Sequence, residues 1–293
     1  MTLLDPRTLA AAFRFVSTHA RLVGLGAIAY AAVFTIQSLA TAQAAAGTGW
    51  GAPAAFAAML AAFAVFVVVL AAWGRARLDR GAPALKVGGD EARLLWVCVL
   101  VLILVFTVIG TAFLAVAFML AGLALINVDP AAEPPEGFVN IFALYGAGEL
   151  AVALVIGGVF AVFSLWFFLR LALAYPATVD QGRVQVLTAW PLSGRRRAVE
   201  MIVTLVLAAL PGVIVLVALN LVSSALIGAW PGAAQSAVGE TGFMISPFAF
   251  ALAAFIYGAA KMALVGAPCA AALCGLYVKY RTESEKTPAE PET

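Results

Sequence analysis

The sequence predicts an all-α protein, a polytopic bundle of six long transmembrane helices with short interfacial helices. Three observations carry this reading. The first is composition: of 293 residues, 64% are hydrophobic and only 11% charged, with a mean hydropathy of +1.05. Soluble domains carry about 25% charged residues, so this chain could not cover a globule with polar surface. The second is continuity. No charge interrupts Leu22 to Trp73, Leu94 to Val128 or Met201 to Gly239, and about 20 apolar residues suffice to cross a hydrocarbon core. The third is the alternation of basic and acidic segments between the apolar runs.

Spans fall near 22–40, 54–73, 94–126, 141–170, 200–230 and 248–278, within a single integral membrane domain over 1–281 and a flexible tail over 282–293. Residues 47–53 (GTGWGAP) and 127–137 (NVDPAAEPPEG) have the Gly, Pro and acid content of turns. The third run is long, but only Gly110 and Thr111 break it near the middle. That is too little for a turn, because backbone groups facing lipid must be satisfied internally. One helix that tilts or projects beyond the lipid is expected there.

Of the 17 Lys and Arg residues, 16 fall in the N-terminus, residues 74–93, residues 170–200 and the tail from Lys279. The alternate loops hold no Lys or Arg but carry Asp129, Glu133, Glu136 and Glu240. The positive-inside rule then places both termini in the cytoplasm of a bacterium, with the chain in the inner membrane. Trp50 and Trp230 fall on the outer side, and Trp73, Trp96, Trp166 and Trp190 on the inner, as an aromatic belt would. Ala40-Thr41-Ala42 resembles a signal cleavage site. The preceding basic region is long for a signal, however, and Asp5-Pro6 reads as a helix start. An uncleaved first span is expected.

Two segments suit the membrane surface. Residues 6–20 place Leu9, Phe13 and Val16 on one face, as a short interfacial helix or an extension of the first span. Residues 178–191 offer Val184, Leu187 and Trp190 or Pro191 as an apolar side, with Gly194 ending that helix. The triplet Arg195-Arg196-Arg197 follows and is a candidate contact for anionic lipid. Its simpler reading is a stop signal that fixes topology.

Few residues could carry chemistry. Glu149 precedes Arg170 by 21 positions and Lys261 precedes Arg281 by 20, which puts both charges about 30 Å above the inner interface. Charges inside a membrane are costly and mark function or a structural pair. Glu149 and Lys261 are therefore a candidate ion pair between spans four and six, the alternative being separate snorkelling to the outer interface. Glu200 suits the start of span five, where a helix N-terminus favours an acid. His19 is the sole histidine, so histidine metal clusters are excluded. Cys98, Cys269 and Cys274 lack metal-ligand spacing and read as packing residues. Gly24-Leu25-Gly26-Ala27-Ile28-Ala29 mimics a dinucleotide fingerprint, but it sits inside a span with no strand before it. No metal or cofactor is expected. In span six, Ala259, Ala263, Ala267, Ala271 and Gly275 recur every fourth residue as a small-residue packing stripe. Pro268 and Pro211-Gly212 can kink spans six and five.

The stretch Arg170 to Arg197 (RLALAYPATVDQGRVQVLTAWPLSGRRR) resembles the inner loop of the YciC-like and glycerophosphoryl diester phosphodiesterase membrane-domain type of bacterial six-span proteins. The matching residues are Arg170, Pro176, Asp180, Gly182, Trp190, Ser193 and Gly194, and the similar organisation extends over most of the chain. Ala189 stands where that family usually has a hydroxyl residue before Trp, and Pro191 intrudes. The resemblance implies a membrane module without a phosphodiesterase domain. Phe63-Ala64-Val65-Phe66 recurs as Phe160-Ala161-Val162-Phe163, each followed by Trp and then Arg, a hint of repeated hairpins for which chance in so Ala-, Val- and Phe-rich a chain is the simpler reading.

These readings point to a non-enzymatic membrane protein that organises lipid or a partner protein, since the lone His and two scattered charges offer no nucleophile–base pair. Transport of a lipid-like or apolar solute through kinked spans five and six is the alternative. Membrane lipids are the expected partners, a protein partner is open, and no nucleic acid is expected. The net charge of +2 is accounted for by topology.

Overall fold

The computed structural model describes residues 6–45, 50–81, 84–125, 147–187, 189–193, 195–227 and 247–286. The described residues are helical with connecting turns and contain no strand. Helix α1 covers Pro6–Thr18, α2 Ala20–Ala45, α3 Gly51–Arg77, α4 Gly89–Leu125, α5 Ala147–Ala172 and α6 Ala174–Gln181. A 3-10 turn at Trp190–Ser193 leads to α7, Arg195–Ile227; α8, Pro247–Lys261, passes through a π turn at Met262–Gly266 into α9, Ala267–Lys286. Six of these units are long and apolar enough to cross a membrane. Because α9 runs on to Lys286, the chain stays helical past the point where the sequence suggested a tail.

Neighbouring contacts run α2–α3–α4–α5–α7 and return through α8 to α2. The closest packing gathers where the basic residues lie. Val23, Ala27, Val69, Ala72, Trp73, Met262, Ala267 and Ala271 form one buried cluster. Leu173, Met201, Leu276, Tyr277 and Tyr280 form a second, and Val67, Ala71, Leu94 and Val97 a third. Away from that end the helices face outward; among the described side chains of α4 none beyond Val97 is buried, and Phe106, Phe113 and Phe118 are exposed. In lipid this costs nothing, because the solvent is as apolar as the side chain.

Three local features differ from the sequence reading, each for a physical reason. The amphipathic helix expected over 178–191 lies earlier, at Ala174–Gln181. It stops at Gly182, which adopts φ +63 and donates its N–H to the Thr178 carbonyl, a left-handed cap open to glycine. The expected end at Gly194 lies outside the described residues. In α1 the buried face is Thr8, Ala12 and Phe15, flanked by Leu9 and Val16, while Phe13 is exposed. The helix breaks at His19, which stacks on Phe15, and packs along α9 and α7. Trp73 belongs to the core: it is 1% exposed and covers Gly26 and Gly266, where a side chain on Gly26 would collide with Val69.

The small-residue stripe also changes register. Below the π turn Ala267 and Ala271 are buried and Gly275 abuts Thr8, as expected. Above it the buried positions are Ala254, Gly258 and Met262, while Ala259 and Ala263 are only partly buried. The π turn adds one residue, with the Ala267 N–H bonding the Met262 carbonyl. Its origin is Pro268, which has no N–H for the carbonyl of Leu264. Gly212 of α7, beside the kinking Pro211, fits against that carbonyl.

Candidate functional site

The polar residues sort into two regions with different chemistry. At the basic end, acids and bases satisfy each other across helices. The chain leaves α3 through a turn in which Arg80 N–H bonds the Arg75 carbonyl and Asp79 takes φ 53. That turn delivers Arg80 to Asp180 of α6, with Nε and Nη2 donating at 2.9 and 2.8 Å to Oδ1. The other carboxylate oxygen accepts from Tyr277 at 3.0 Å and from Arg281, both of α9. One partly buried carboxylate therefore ties three segments together.

Arg75 and Glu91 form a second link, between α3 and α4. Their side chains are 2% and 3% exposed, and Arg75 also donates to the Ala84 carbonyl at 3.0 Å. Glu200, at the start of α7, accepts from Lys279 and from Tyr280 at 3.2 Å, in keeping with its expected structural role. Of the arginine triplet, Arg197 bonds the Leu192 carbonyl, pairs with Glu283 at 3.2 Å and lies over the Tyr280 ring. The side chains of Arg195 and Arg196 lie outside the described residues.

The two charges that the sequence selected belong to other helices. Glu149 is in the first turn of α5, a helix that packs on α4 and α7. Lys261 ends α8, which packs on α2 and α7, and its ammonium sits 5.9 Å from the Phe34 ring. A Glu149–Lys261 bridge is not among the ion pairs of the described residues. Gly275 meets Arg77 at the basic end, and the helix from Lys261 to Gly275 is about 21 Å long. That rise is shorter than the ~30 Å thickness of a hydrocarbon core.

Lys261 lines a recess of about 400 Å³ in the side of the bundle. Tyr30 and Gln37 of α2 and Met59, Phe63 and Phe66 of α3 form its walls. Most of the wall is apolar, and the hydroxyl-bearing neighbours on α2 are satisfied by their own helix. Thr35, Ser38 and Thr41 each donate to the carbonyl four residues earlier. The recess thus offers one ammonium, one amide and one phenol within an aromatic slot. An acidic head on an apolar chain has the complementary chemistry. Sequence reasoning selected Lys261 but not the slot, because the π turn that sets Met262 and Gly266 there is a backbone event.

Among the described residues no group of three or more His, Cys, Asp or Glu is placed to hold a metal ion. Comparison of the chain with family models, with curated proteins and with solved structures finds no match.

Proposed function

We propose that this six-span protein resides in a bacterial inner membrane with both termini in the cytoplasm, has no enzymatic activity, and holds and organises membrane lipid. The observation that carries this reading is Lys261 on the wall of a lateral, mostly apolar recess. A cation inside the membrane is expensive unless an anion or water meets it. A lipid entering sideways supplies an acidic head for Lys261 and an acyl chain for Met59, Phe63 and Phe66. The resemblance of residues 170–197 to the YciC-like membrane modules is consistent with a role that needs no catalytic domain. The ion pairs at the basic end support it too, since they tie the helices together there.

Purification from native membranes, followed by mass spectrometry of retained lipids, tests the proposal. Wild type and Lys261→Arg should retain an acidic amphiphile that Lys261→Ala loses, while Glu149→Ala retains it. Equal retention by Lys261→Ala would overturn the reading.

A transporter of a lipid-like solute is the second reading, favoured by one observation. The π turn after Lys261 borders the recess, and Gly212 of α7, next to the in-helix Pro211, packs against it. Such breaks line the substrate paths of some transporters. Uptake of an acidic amphiphile into proteoliposomes, lost in Lys261→Ala, would select it over static binding.

A further inference from the structure

Arg170 ends α5 with its guanidinium carbon 4.9 Å from the centroid of the Trp166 ring and 5.1 Å from that of Trp190. The two indoles meet edge to face at 5.8 Å, and Phe167 packs on Trp190 from behind. The cage is assembled from two elements: one turn of α5 and the 3-10 turn that leads into α7. Sequence position alone shows Arg170 and Trp190 as ordinary interface residues.

The charge inside the cage is unmatched. Arg75, Arg80, Arg93, Arg197, Lys279 and Arg281 each meet a carboxylate. Among the described residues Arg170 meets only the rings, and its enclosed Nε has no acceptor. A guanidinium is all donor, and ring faces hold its plane without neutralising it. The side chain is only half-buried, so an acceptor can come from outside the protein.

We propose that Arg170, Trp166 and Trp190 form a site for the phosphate of an anionic phospholipid in the leaflet at the basic end. A guanidinium grips phosphate through paired N–H bonds, and its stacking on the indoles prepays the ordering. Indoles favour the headgroup depth at which a phosphate lies. Leu165 and Phe168, 48% and 49% exposed on α5, offer the acyl chains an apolar flank. The site is on α5, away from the recess between α2 and α3, and stands or falls independently of it.

Quenching by brominated lipid reads this site directly. Trp50, Trp96 and Trp230 are replaced by Phe, leaving the two cage indoles and the buried Trp73 as an internal reference. The full chain is reconstituted in phosphatidylcholine vesicles carrying brominated phosphatidylglycerol or brominated phosphatidylcholine. Quenching of the cage should favour phosphatidylglycerol several-fold. Arg170→Gln should abolish that preference, and Arg170→Lys, which keeps a charge on the rings but loses the paired bonds, should retain part of it. The lysine variant also covers the case in which the glutamine variant fails to fold. Excess inorganic phosphate should leave the preference unchanged. Its loss under phosphate would assign the cage to free phosphate and overturn the lipid site, as would equal quenching by the two lipids in wild type.

Discussion

Gly212 of α7 faces the carbonyl of Leu264 so closely that a Cβ there would lie 2.3 Å from the oxygen. The hydrogen that replaces Cβ points at a carbonyl whose regular donor would have been the nitrogen of Pro268. Proline, glycine and π turn are thus one arrangement: the first frees the oxygen, the third accommodates it, and the second lets α7 approach it. Gly212→Ala must push the two helices apart. We expect a loss of about 1–3 kcal/mol, visible as a lower Tm in detergent, with helicity unchanged by circular dichroism.

Asp180 accepts from Arg80, Tyr277 and Arg281. Asp180→Asn removes the charge that all three donors share and should cost about 1–3 kcal/mol. Arg80→Ala removes one half-exposed partner and should cost less than about 1 kcal/mol. Thermal unfolding of the two variants side by side checks the order; a larger loss from Arg80→Ala would contradict the hub.

Arg75 and Glu91 are both buried. Replacing Arg75 alone strands Glu91, at about 3–5 kcal/mol, whereas replacing Glu91 alone leaves Arg75 with Asp90 at 3.9 Å and the Ala84 carbonyl and should cost less. The double variant Arg75→Met/Glu91→Leu should recover most of the stability lost by either single change, because it removes both desolvation penalties together. A double-mutant cycle on unfolding midpoints measures the coupling.

Trp73 has a buried indole nitrogen with no hydrogen-bond partner. Trp73→Phe removes the unmet donor but also the pyrrole half of a buried indole, so it should cost less than Trp73→Ala, whose larger cavity should cost about 3–5 kcal/mol. In the wild-type protein this indole should also resist aqueous quenchers.

Long-range chemistry made the fold legible. Apolar runs and basic flanks locate the spans because a membrane imposes one length and one polarity on every crossing. The spans near 94–126 and 200–230 correspond closely to α4 and α7. What escaped notice depends on backbone detail. A constant four-residue stripe from Ala259 to Gly275 cannot anticipate an inserted residue, although Pro268 was the available signal. Trp73 and Trp96 look alike in sequence next to basic residues, yet one is 1% and the other 63% exposed. Which tryptophan turns inward depends on Gly26 and Gly266, two glycines from other helices. Lys261 was legible as an unusual charge, and its recess was not. The Arg170 cage joins residues separated by α6 and a turn, so only the fold reveals it.

The exposure of α4 has a mechanical consequence. The helix spans Gly89–Leu125, about 55 Å at ~1.5 Å per residue, and its buried residues Glu91, Leu94 and Val97 all lie in its first turns. Glu91 clamps those turns to Arg75, while farther out the side neighbour is α5, with Phe113 and Phe160 rings 6.1 Å apart. A beam clamped at one end and loaded along its length by lipid leans by an amount the bilayer dictates. Since α4 exceeds a ~30 Å core, thinning the bilayer should lay α4 and α5 over together, with the leverage bearing on the Glu91 clamp.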